Sequence, residues 1–200
     1  RAIYPGLASD LLAHIAARGG PAFRALLLLS ALLHDVAKPV TARRIGGRLR
    51  FFEHDALGAD AVEKILRRLR LSREMVATAA AIVRHHLRPG HLAASGRAPS
   101  ERAVYRFFRD LGEDAPGLLL VCWGDHASYM PASRLKRSLK TATSRYREEL
   151  FPPPHAVGKR PTEAAKTIRH LQLVSLLLRR WRELKRAPAP KRLLDGRAVM

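Results

Sequence analysis

The segment from Ala25 to Pro39, ALLLLSALLHDVAKP, ends an almost wholly apolar run on the adjacent pair His34 and Asp35. Removing an ionised carboxylate from water costs several kcal/mol unless it is paired, hydrogen-bonded or bound to a metal. Histidine beside aspartate is also a good mixed nitrogen and oxygen ligand pair for a divalent ion. The fold must therefore bring polar partners to this pair, and a metal ion is the hypothesis that the pair favours.

Helical periodicity runs through nearly the whole chain. It predicts helices at about 6–18, 22–37, 54–70, 73–87, 100–111, 115–129, 132–149 and 162–186, separated by glycine and proline breaks. Ser72, Ser100 and Thr162 are the expected N-caps, because each offers a side-chain oxygen just before a helical run. Strand-like alternation is confined to RLRFF at 48–52, which predicts a small hairpin or an extended loop beside Gly46 and Gly47. The predicted fold class is all-α, a helical bundle.

Three consecutive prolines, Pro152 to Pro154, mark the best internal boundary. They block helix propagation and stiffen the backbone. We expect residues 1–151 to form the bundle and residues 152–200 to form a Pro-rich linker, a long basic helical arm and the truncated start of a C-terminal segment. The chain begins with Arg1 instead of Met, and an apolar pattern restarts shortly before Met200, so we expect a piece of a longer protein.

The charge balance is strongly basic, with 37 Lys and Arg against 17 Asp and Glu, for a formal net charge of +20. Such a chain attracts polyanions, which makes RNA or DNA the expected partner. From Arg134 onward there are 18 basic and five acidic residues. Few aromatic residues lie among them, which favours recognition of the backbone and shape over base stacking. An ordinary solvated basic surface is the alternative.

The single cysteine, Cys122, excludes an internal disulfide framework and any Cys-rich zinc site. Such sparing use of cysteine is compatible with a reducing compartment, and we expect a cytoplasmic protein. The longest apolar run, Ala25 to Leu33, is far shorter than the roughly 20 residues that cross a bilayer. The first residues also lack the pattern of a signal peptide. The sequence therefore predicts no membrane partner.

Further histidine and aspartate residues recur along the successive predicted helices: His54, the adjacent His85 and His86, and Asp125. Each is a weak signal alone, because a single histidine near a helix end is more often a cap or a surface residue. Together they are more specific, because a bundle can converge such side chains on its axis. Adjacent helical residues point about 100° apart, so only one of His85 and His86 easily faces the centre.

The segments LLHDVAK, EHDALGAD, VRHHL and GDH resemble the HD superfamily of metal-dependent phosphohydrolases, which is named for the adjacent His-Asp pair. More narrowly, most of residues 24–130 resembles the HD region of bacterial tRNA nucleotidyltransferases and poly(A) polymerases, the CCA-adding family. The terminal LLDGRAVM resembles the start of that family's later C-terminal motif. In that family a nucleotidyltransferase domain precedes the HD region, and its signature is missing here. The resemblance thus implies an HD fragment that does not itself transfer nucleotides.

The resemblance also implies a set of metal ligands: His34, Asp35, His54, His85 and Asp125. Asp35 would bridge two ions, with His34 and Asp125 at the first ion and His54 and His85 at the second. His86 is the alternative to His85. His14 is the candidate for the further histidine that HD proteins carry on the preceding helix, although an ordinary amphipathic-helix histidine fits it as well. Without that ligand the first site has fewer protein ligands, which favours weak metal binding and a vestigial activity.

Asp35 and Lys38 are the expected catalytic residues, with Lys38 as a phosphate contact one turn from the metal pair. Its alternative is an exposed lysine that the helix dipole favours at a C-terminus. Further contacts with RNA or phosphate are expected from the basic residues Arg88, Arg179, Arg180 and Arg182.

With an intact site, the expected reaction is metal-assisted hydrolysis of a phosphoester. Histidine-rich ligation favours Mn, Co, Ni, Fe or Zn over Mg, as one ion or two. Expected substrates are 2′,3′-cyclic phosphates, 2′-nucleotides or an RNA-terminal phosphate, and the expected partners are RNA, above all tRNA, and the missing nucleotidyltransferase domain. Two alternatives stay open: a tRNA-binding scaffold with a decayed metal site, and a general nucleotide phosphohydrolase unrelated to tRNA.

Overall fold

The computed structural model describes residues 7–94, 98–133 and 163–186. Their helices and strands, in chain order, are α1 (Leu7–Ala17), α2 (Pro21–Leu33), α3 (Lys38–Thr41), β1 (Ala42–Ile45), β2 (Arg48–Phe51), α4 (His54–Arg68), α5 (Arg73–His85), α6 (Arg88–Ala94), α7 (Glu101–Leu111), a 3₁₀ turn (Gly112–Asp114), α8 (Ala115–Ser128) and α9 (Glu163–Arg186). This order confirms the predicted helical fold class, and the short α3 and α6 are additions to the predicted helices. The helix predicted at 132–149 falls largely outside the described residues.

Helices α2 and α5 end earlier than predicted, and both ends lie at histidines. Helix α2 ends at Leu33 with His34 as its C-cap, and α5 ends at His85 with His86 as its C-cap. Pro39 and Pro89 explain these ends, because a proline ring clashes with the carbonyl of the residue four positions earlier. The last carbonyls of each helix then need donors from outside the helix.

The hydrophobic core is built around α2, which packs against both α5 and α8. Its buried side chains include Leu26, Val62, Leu66, Ile82, Phe107, Leu118 and Leu119. Burying a side chain of this size stabilises the fold by about 1.5–3 kcal/mol. At Gly117 a Cβ atom would lie only 2.9 Å from Leu27 Cδ2, so glycine allows α8 to approach α2 closely.

Helix α9 packs against α8 and α6. Its residues Leu173, Val174, Leu177 and Leu178 belong to the same hydrophobic core as the rest of the bundle. The apolar face of the predicted basic arm is thus buried. The expected boundary between residues 151 and 152, and the expected N-cap Thr162, lie outside the described residues.

The segment RLRFF forms the second strand of a β-hairpin. Strands β1 and β2 pair in antiparallel register, with Ala42 opposite Phe51 and Ile45 opposite Arg48. Gly46 and Gly47 connect the strands with φ angles of 56° and 73°. Glycine adopts this left-handed conformation without strain, and a type I′ hairpin turn requires it at both central positions. The hairpin alternative for this segment is therefore confirmed.

Two of the predicted N-caps are confirmed by their hydrogen bonds. Ser72 Oγ accepts from the Met75 backbone nitrogen at 3.2 Å, and Ser100 Oγ accepts from the Ala103 backbone nitrogen at 3.3 Å. Each bond satisfies one of the free N–H groups of a first helical turn.

Within the described ranges, no single helix has the length and hydropathy to cross a membrane. The segments Ala8–Ala17 and Pro21–Thr41 satisfy the criterion only as a pair, and they are bent by 109° at the break between them.

His170 of α9 generates a prediction about stability and pH. Its side chain is 2% exposed and stacks on the His126 ring with 3.7 Å between centroids. Burial lowers the pKa of His170 to about 3, whereas an unfolded histidine titrates near 6.5. Between these values the unfolded chain binds the extra proton, so the folded state loses stability as the pH falls below 6.5, by up to about 1.4 kcal/mol per pH unit.

We expect the substitution His170→Leu to flatten this slope. The measurement is the free energy of unfolding in urea at several pH values between 7 and 4.5, for the parent chain and the variant. Because the slope is the readout, a change in absolute stability does not obscure it. An unchanged slope would show that His170 is accessible to protons in the folded state.

Candidate metal centre

The site is built from three histidine rings whose orientation is fixed by the backbone. Each Nδ1 atom lies at hydrogen-bond distance from a carbonyl three residues earlier. The pairs are His34 with Ala31 (2.7 Å), His54 with Phe51 (2.7 Å) and His86 with Val83 (2.6 Å). A carbonyl can only accept, so each Nδ1 donates, and in the neutral ring Nε2 carries a lone pair. The rings of His34 and His86 are thus oriented by the carbonyl ends of α2 and α5, the helices that end before a proline.

The Nε2 atoms of His54 and His86 meet the carboxylate of Asp35. Asp35 Oδ1 lies 3.5 Å from His54 Nε2 and 3.7 Å from His86 Nε2. The two Nε2 atoms are only 3.2 Å apart. Two lone pairs and a carboxylate oxygen in such proximity repel one another unless a proton or a metal cation lies among them. The ligand atoms of these three residues all lie within 4.8 Å of one another, which suits a single metal ion.

The other oxygen of Asp35 faces a second group of polar side chains. His34 Nε2 lies 3.1 Å from Asp35 Oδ2 and 3.6 Å from Asp125 Oδ1. Lys38 also donates a hydrogen bond to Asp35 Oδ2. The interaction with Asp125 raises the pKa of His34, and the interaction with His34 lowers the pKa of Asp125. Asp35 therefore stands between His54 and His86 on one side and His34 with Asp125 on the other.

Four helices position these side chains. His34 and Asp35 follow α2, His54 is the first residue of α4, His86 follows α5, and Asp125 lies within α8. Glu53, directly before His54, adopts a left-handed conformation with a φ of 60°. That conformation costs a residue other than glycine about 1–2 kcal/mol. Backbone strain beside a polar cluster is typical of a functional site.

A cavity of about 120 Å³ adjoins the cluster and is lined by residues that include His34, His86, His91, Asp125 and His126. It has room for several water molecules. The sequence analysis did not name His91 or His126 as ligands, although His91 lies five residues after His86 and His126 directly follows Asp125. Imidazole groups thus border the cavity on several sides.

Cys122, another lining residue of this cavity, supports the site through its thiol. Its Sγ donates to the His86 carbonyl at 3.1 Å. Burial raises the pKa of the thiol, which keeps it protonated. Because the thiolate is the reactive form and the metal ligand, Cys122 is suited to packing and not to nucleophilic chemistry.

His85 is not brought to the cluster. Burial and then the positive charge of Arg88 lower its pKa, and its other charged neighbours include Asp110 and Arg84. The ring that meets Asp35 and His54 belongs to His86, the alternative that the sequence left open. The roughly 100° between adjacent residues at the end of α5 separates the two imidazoles. The ligand set expected from the resemblance therefore changes at this position.

His14 lies at the opposite end of α2. Its ring makes edge contacts with Phe23 and Trp181, at centroid distances of 5.7 and 5.2 Å. Burial lowers its pKa. Phe23 precedes His34 by 11 residues on α2, which corresponds to about 16 Å along a helix axis. His14 is thus a packing residue at the base of the bundle and does not reach Asp35.

Among the expected phosphate contacts, only the side chain of Lys38 contacts Asp35 of the cluster. The other expected contacts are arginines with other partners. Arg88 pairs with Asp110 at 3.1 Å, and Arg182 pairs with Asp10 at 3.3 Å. Arg180 pairs with Glu101 and Glu183. Arg179 is exposed on α9. Carboxylates within the bundle thus neutralise part of this charge, and contacts of these arginines with RNA stay a prediction.

Comparisons with known proteins bear on this site. Residues 7–130 match the model of the HD domain family. The chain is 34% identical over 128 residues to a CC-adding tRNA nucleotidyltransferase of Thermus thermophilus, which covers 62% of this chain and 27% of that protein. It is 45% identical over 98 residues to an A-adding tRNA nucleotidyltransferase of Deinococcus radiodurans, which covers 48% of this chain and 22% of that protein. The resemblance noted in the sequence is thereby confirmed.

The chain spans only about a quarter of the length of these curated relatives. No solved structure gives a significant match.

The cluster generates a prediction about metal binding. A divalent transition metal at about 100 times its dissociation constant stabilises a folded protein by about 2.7 kcal/mol. We expect Mn²⁺, Co²⁺, Ni²⁺ or Zn²⁺ to raise the melting temperature of the chain, and we expect His86→Gln and Asp35→Asn to remove most of that shift. Loss of a supporting residue costs roughly 10–100-fold in metal affinity, and loss of a ligand should cost at least as much.

The adjacent His85→Gln is the matched control, because it removes the same chemical group from the same helix end. It should retain the full thermal shift. Equal losses from His85→Gln and His86→Gln, or no shift in the parent chain, would contradict this arrangement.

Proposed function

Because the chain belongs to the HD-domain family, we propose that it is a metal-dependent phosphohydrolase that acts on nucleotide phosphates or RNA-terminal phosphates. One observation carries the proposal: the Nε2 lone pairs of His54 and His86 meet Asp35 Oδ1 with no donor between them in the described part of the chain. A bound divalent ion satisfies all three atoms at once.

We propose a second ion beside the first, with Asp35 as the ligand that the two would share. His54 and His86 would hold one ion with Asp35 Oδ1, and His34 and Asp125 would hold the other with Asp35 Oδ2. Imidazole and carboxylate donors favour Mn, Co, Ni, Fe or Zn over Mg, which prefers oxygen alone. Bound there, a divalent ion supplies Lewis acidity and lowers the pKa of a water molecule.

The residues of the chain orient the substrate for hydrolysis. In the proposed reaction a water oxygen bonds to phosphorus, the ester P–O bond breaks, and the leaving oxygen takes up a proton. Lys38 would bind a phosphoryl oxygen, since its ammonium group lies at the edge of the cluster and its side chain is 33% exposed. The cavity beside His34, His86 and Asp125 would admit the water.

The relatives support RNA as the substrate class. Both are tRNA nucleotidyltransferases by name, and each is about four times as long as the matched region. We propose that this HD domain acts on tRNA or its fragments, beside a nucleotidyltransferase domain in a longer protein of the cytoplasm. A net charge of +20 accords with a polyanionic substrate.

A tRNA-binding scaffold with a vestigial metal site is the second candidate. The observation that favours it is the ion pair between Lys38 and Asp35 Oδ2. The ammonium group neutralises part of the carboxylate charge without a metal, as a decayed site would require.

Hydrolysis of bis(p-nitrophenyl) phosphate by the metal-loaded chain distinguishes the two candidates. We expect turnover with Mn²⁺, Co²⁺ or Ni²⁺ and a fall to background in Asp35→Ala. The control is Asp60→Ala, which removes an exposed carboxylate that pairs with Arg84 on the outer surface of the same bundle. A chain that binds tRNA but neither retains metal nor hydrolyses the diester would favour the scaffold.

A further inference from the structure

The β-hairpin carries a dense group of positive charge that the proposed chemistry does not use. Residues 42–52 contain Arg43, Arg44, Arg48 and Arg50 and no acidic residue, and all four arginines are exposed. We propose that one face of this hairpin binds the phosphate backbone of an RNA strand whose end enters the Asp35 cluster. The choice of RNA rests on the proposed function, whereas the site itself rests on the geometry of the hairpin.

The strand register places three of these arginines on one face. Arg43 lies opposite Arg50, and Ile45 lies opposite Arg48. Cross-strand partners share a face, and so do residues two apart on one strand. Arg43, Arg48 and Arg50 therefore form one surface, called here the arginine face. Neighbouring rows of this face are about 7 Å apart along each strand.

The arginine side chains of this face repel one another, and no carboxylate of the described residues neutralises them. Like charges directly opposite each other destabilise a strand pair. In ranges 7–94, 98–133 and 163–186, no carboxylate forms an ion pair with Arg43, Arg48 or Arg50, and Arg43 donates only to the carbonyl of Ala42. Arg88, Arg180 and Arg182 each have such a carboxylate. An anionic ligand would therefore gain its full attraction at the hairpin.

Both ends of the hairpin are attached to the metal cluster. Strand β1 follows α3 directly, and α3 begins at Lys38. Strand β2 ends at Phe51, whose carbonyl accepts from His54 Nδ1 and whose ring lies 5.5 Å from the Lys38 ammonium nitrogen. Four residues of strand extend about 13 Å. By the same alternation the Phe51 ring lies on the face opposite the arginine face. A phosphate chain along the arginine face would thus reach Lys38 and Asp35 by passing the end of β2 beside Phe52.

The chemistry of the face fits nucleic acid better than an acidic protein. A guanidinium group binds phosphate oxygens through two parallel hydrogen bonds. Phe52, between β2 and α4, is 59% exposed and offers an aromatic surface on which a base can stack. A single RNA strand carries both groups, because its regularly spaced phosphates can bind the guanidinium groups and one of its bases can stack on Phe52.

The test measures binding of a fluorescein-labelled, 12-nucleotide single-stranded RNA by anisotropy, with EDTA present and over a range of salt concentrations. The variant is Arg43→Gln, Arg48→Gln and Arg50→Gln combined. The matched control is Lys64→Gln, Arg68→Gln and Arg73→Gln, which removes three exposed charges at the far ends of α4 and α5. Each phosphate contact contributes about 0.7 to the log–log salt slope for a single strand.

We expect the hairpin variant to lose about 2 in this slope and to bind about a hundredfold more weakly at 0.1 M salt, with little change in the control. Equal losses in the two variants would overturn the proposal, and so would an acidic peptide of the same charge that binds as tightly as the RNA.

Hydrolysis of bis(p-nitrophenyl) phosphate separates this proposal from the proposed function, because that substrate has no backbone to follow the hairpin. The hairpin variant should retain its turnover. If the parent chain is inactive but its RNA binding still depends on the arginine face, the hydrolase proposal is contradicted and the hairpin site is supported.

Discussion

The structure depends on three imidazole rings that backbone carbonyls hold with their Nε2 lone pairs directed inward. Each Nδ1 donates to the carbonyl three residues earlier, at 2.6–2.7 Å. This pattern fixes the tautomer before any ligand arrives. These inward lone pairs surround a single carboxylate, that of Asp35, and the site therefore attracts positive charge. One proton can bind to only one of these atoms, so it relieves only part of the repulsion. The proposed function follows from this attraction for a cation.

The same hydrogen bonds connect the site to the fold. His34 and His86 complete the carbonyl ends of α2 and α5, and both helices end because a proline follows within a few residues. His54 begins α4 after a strained Glu53. Core packing of α2 and α4 against α5 then sets the distances between the three rings. A change at either proline is therefore expected to alter the site.

Periodicity and breakers were sufficient to predict the longer helices of the described residues, because this chain alternates apolar and polar residues regularly between its glycines and prolines. The short α3 and α6 were missed, since a helix of four or seven residues has too few positions to show a period. Ordering of His and Asp along those helices also indicated the cluster. What the sequence could not decide was the choice between His85 and His86, since it depends on where α5 ends to within one residue. The hairpin register, which places Arg43 beside Arg50, follows once a two-residue turn forms at Gly46 and Gly47, but the sequence left a hairpin and an extended loop both open.

The most direct test of the central claim is anomalous scattering from a crystal of the chain grown with Zn²⁺ or Co²⁺. The account predicts a peak about 2.1 Å from His54 Nε2, His86 Nε2 and Asp35 Oδ1, the distance typical of such ligands. No peak at this position, or a peak only beside His126 and His170 with Asp35 still paired to Lys38, would contradict it.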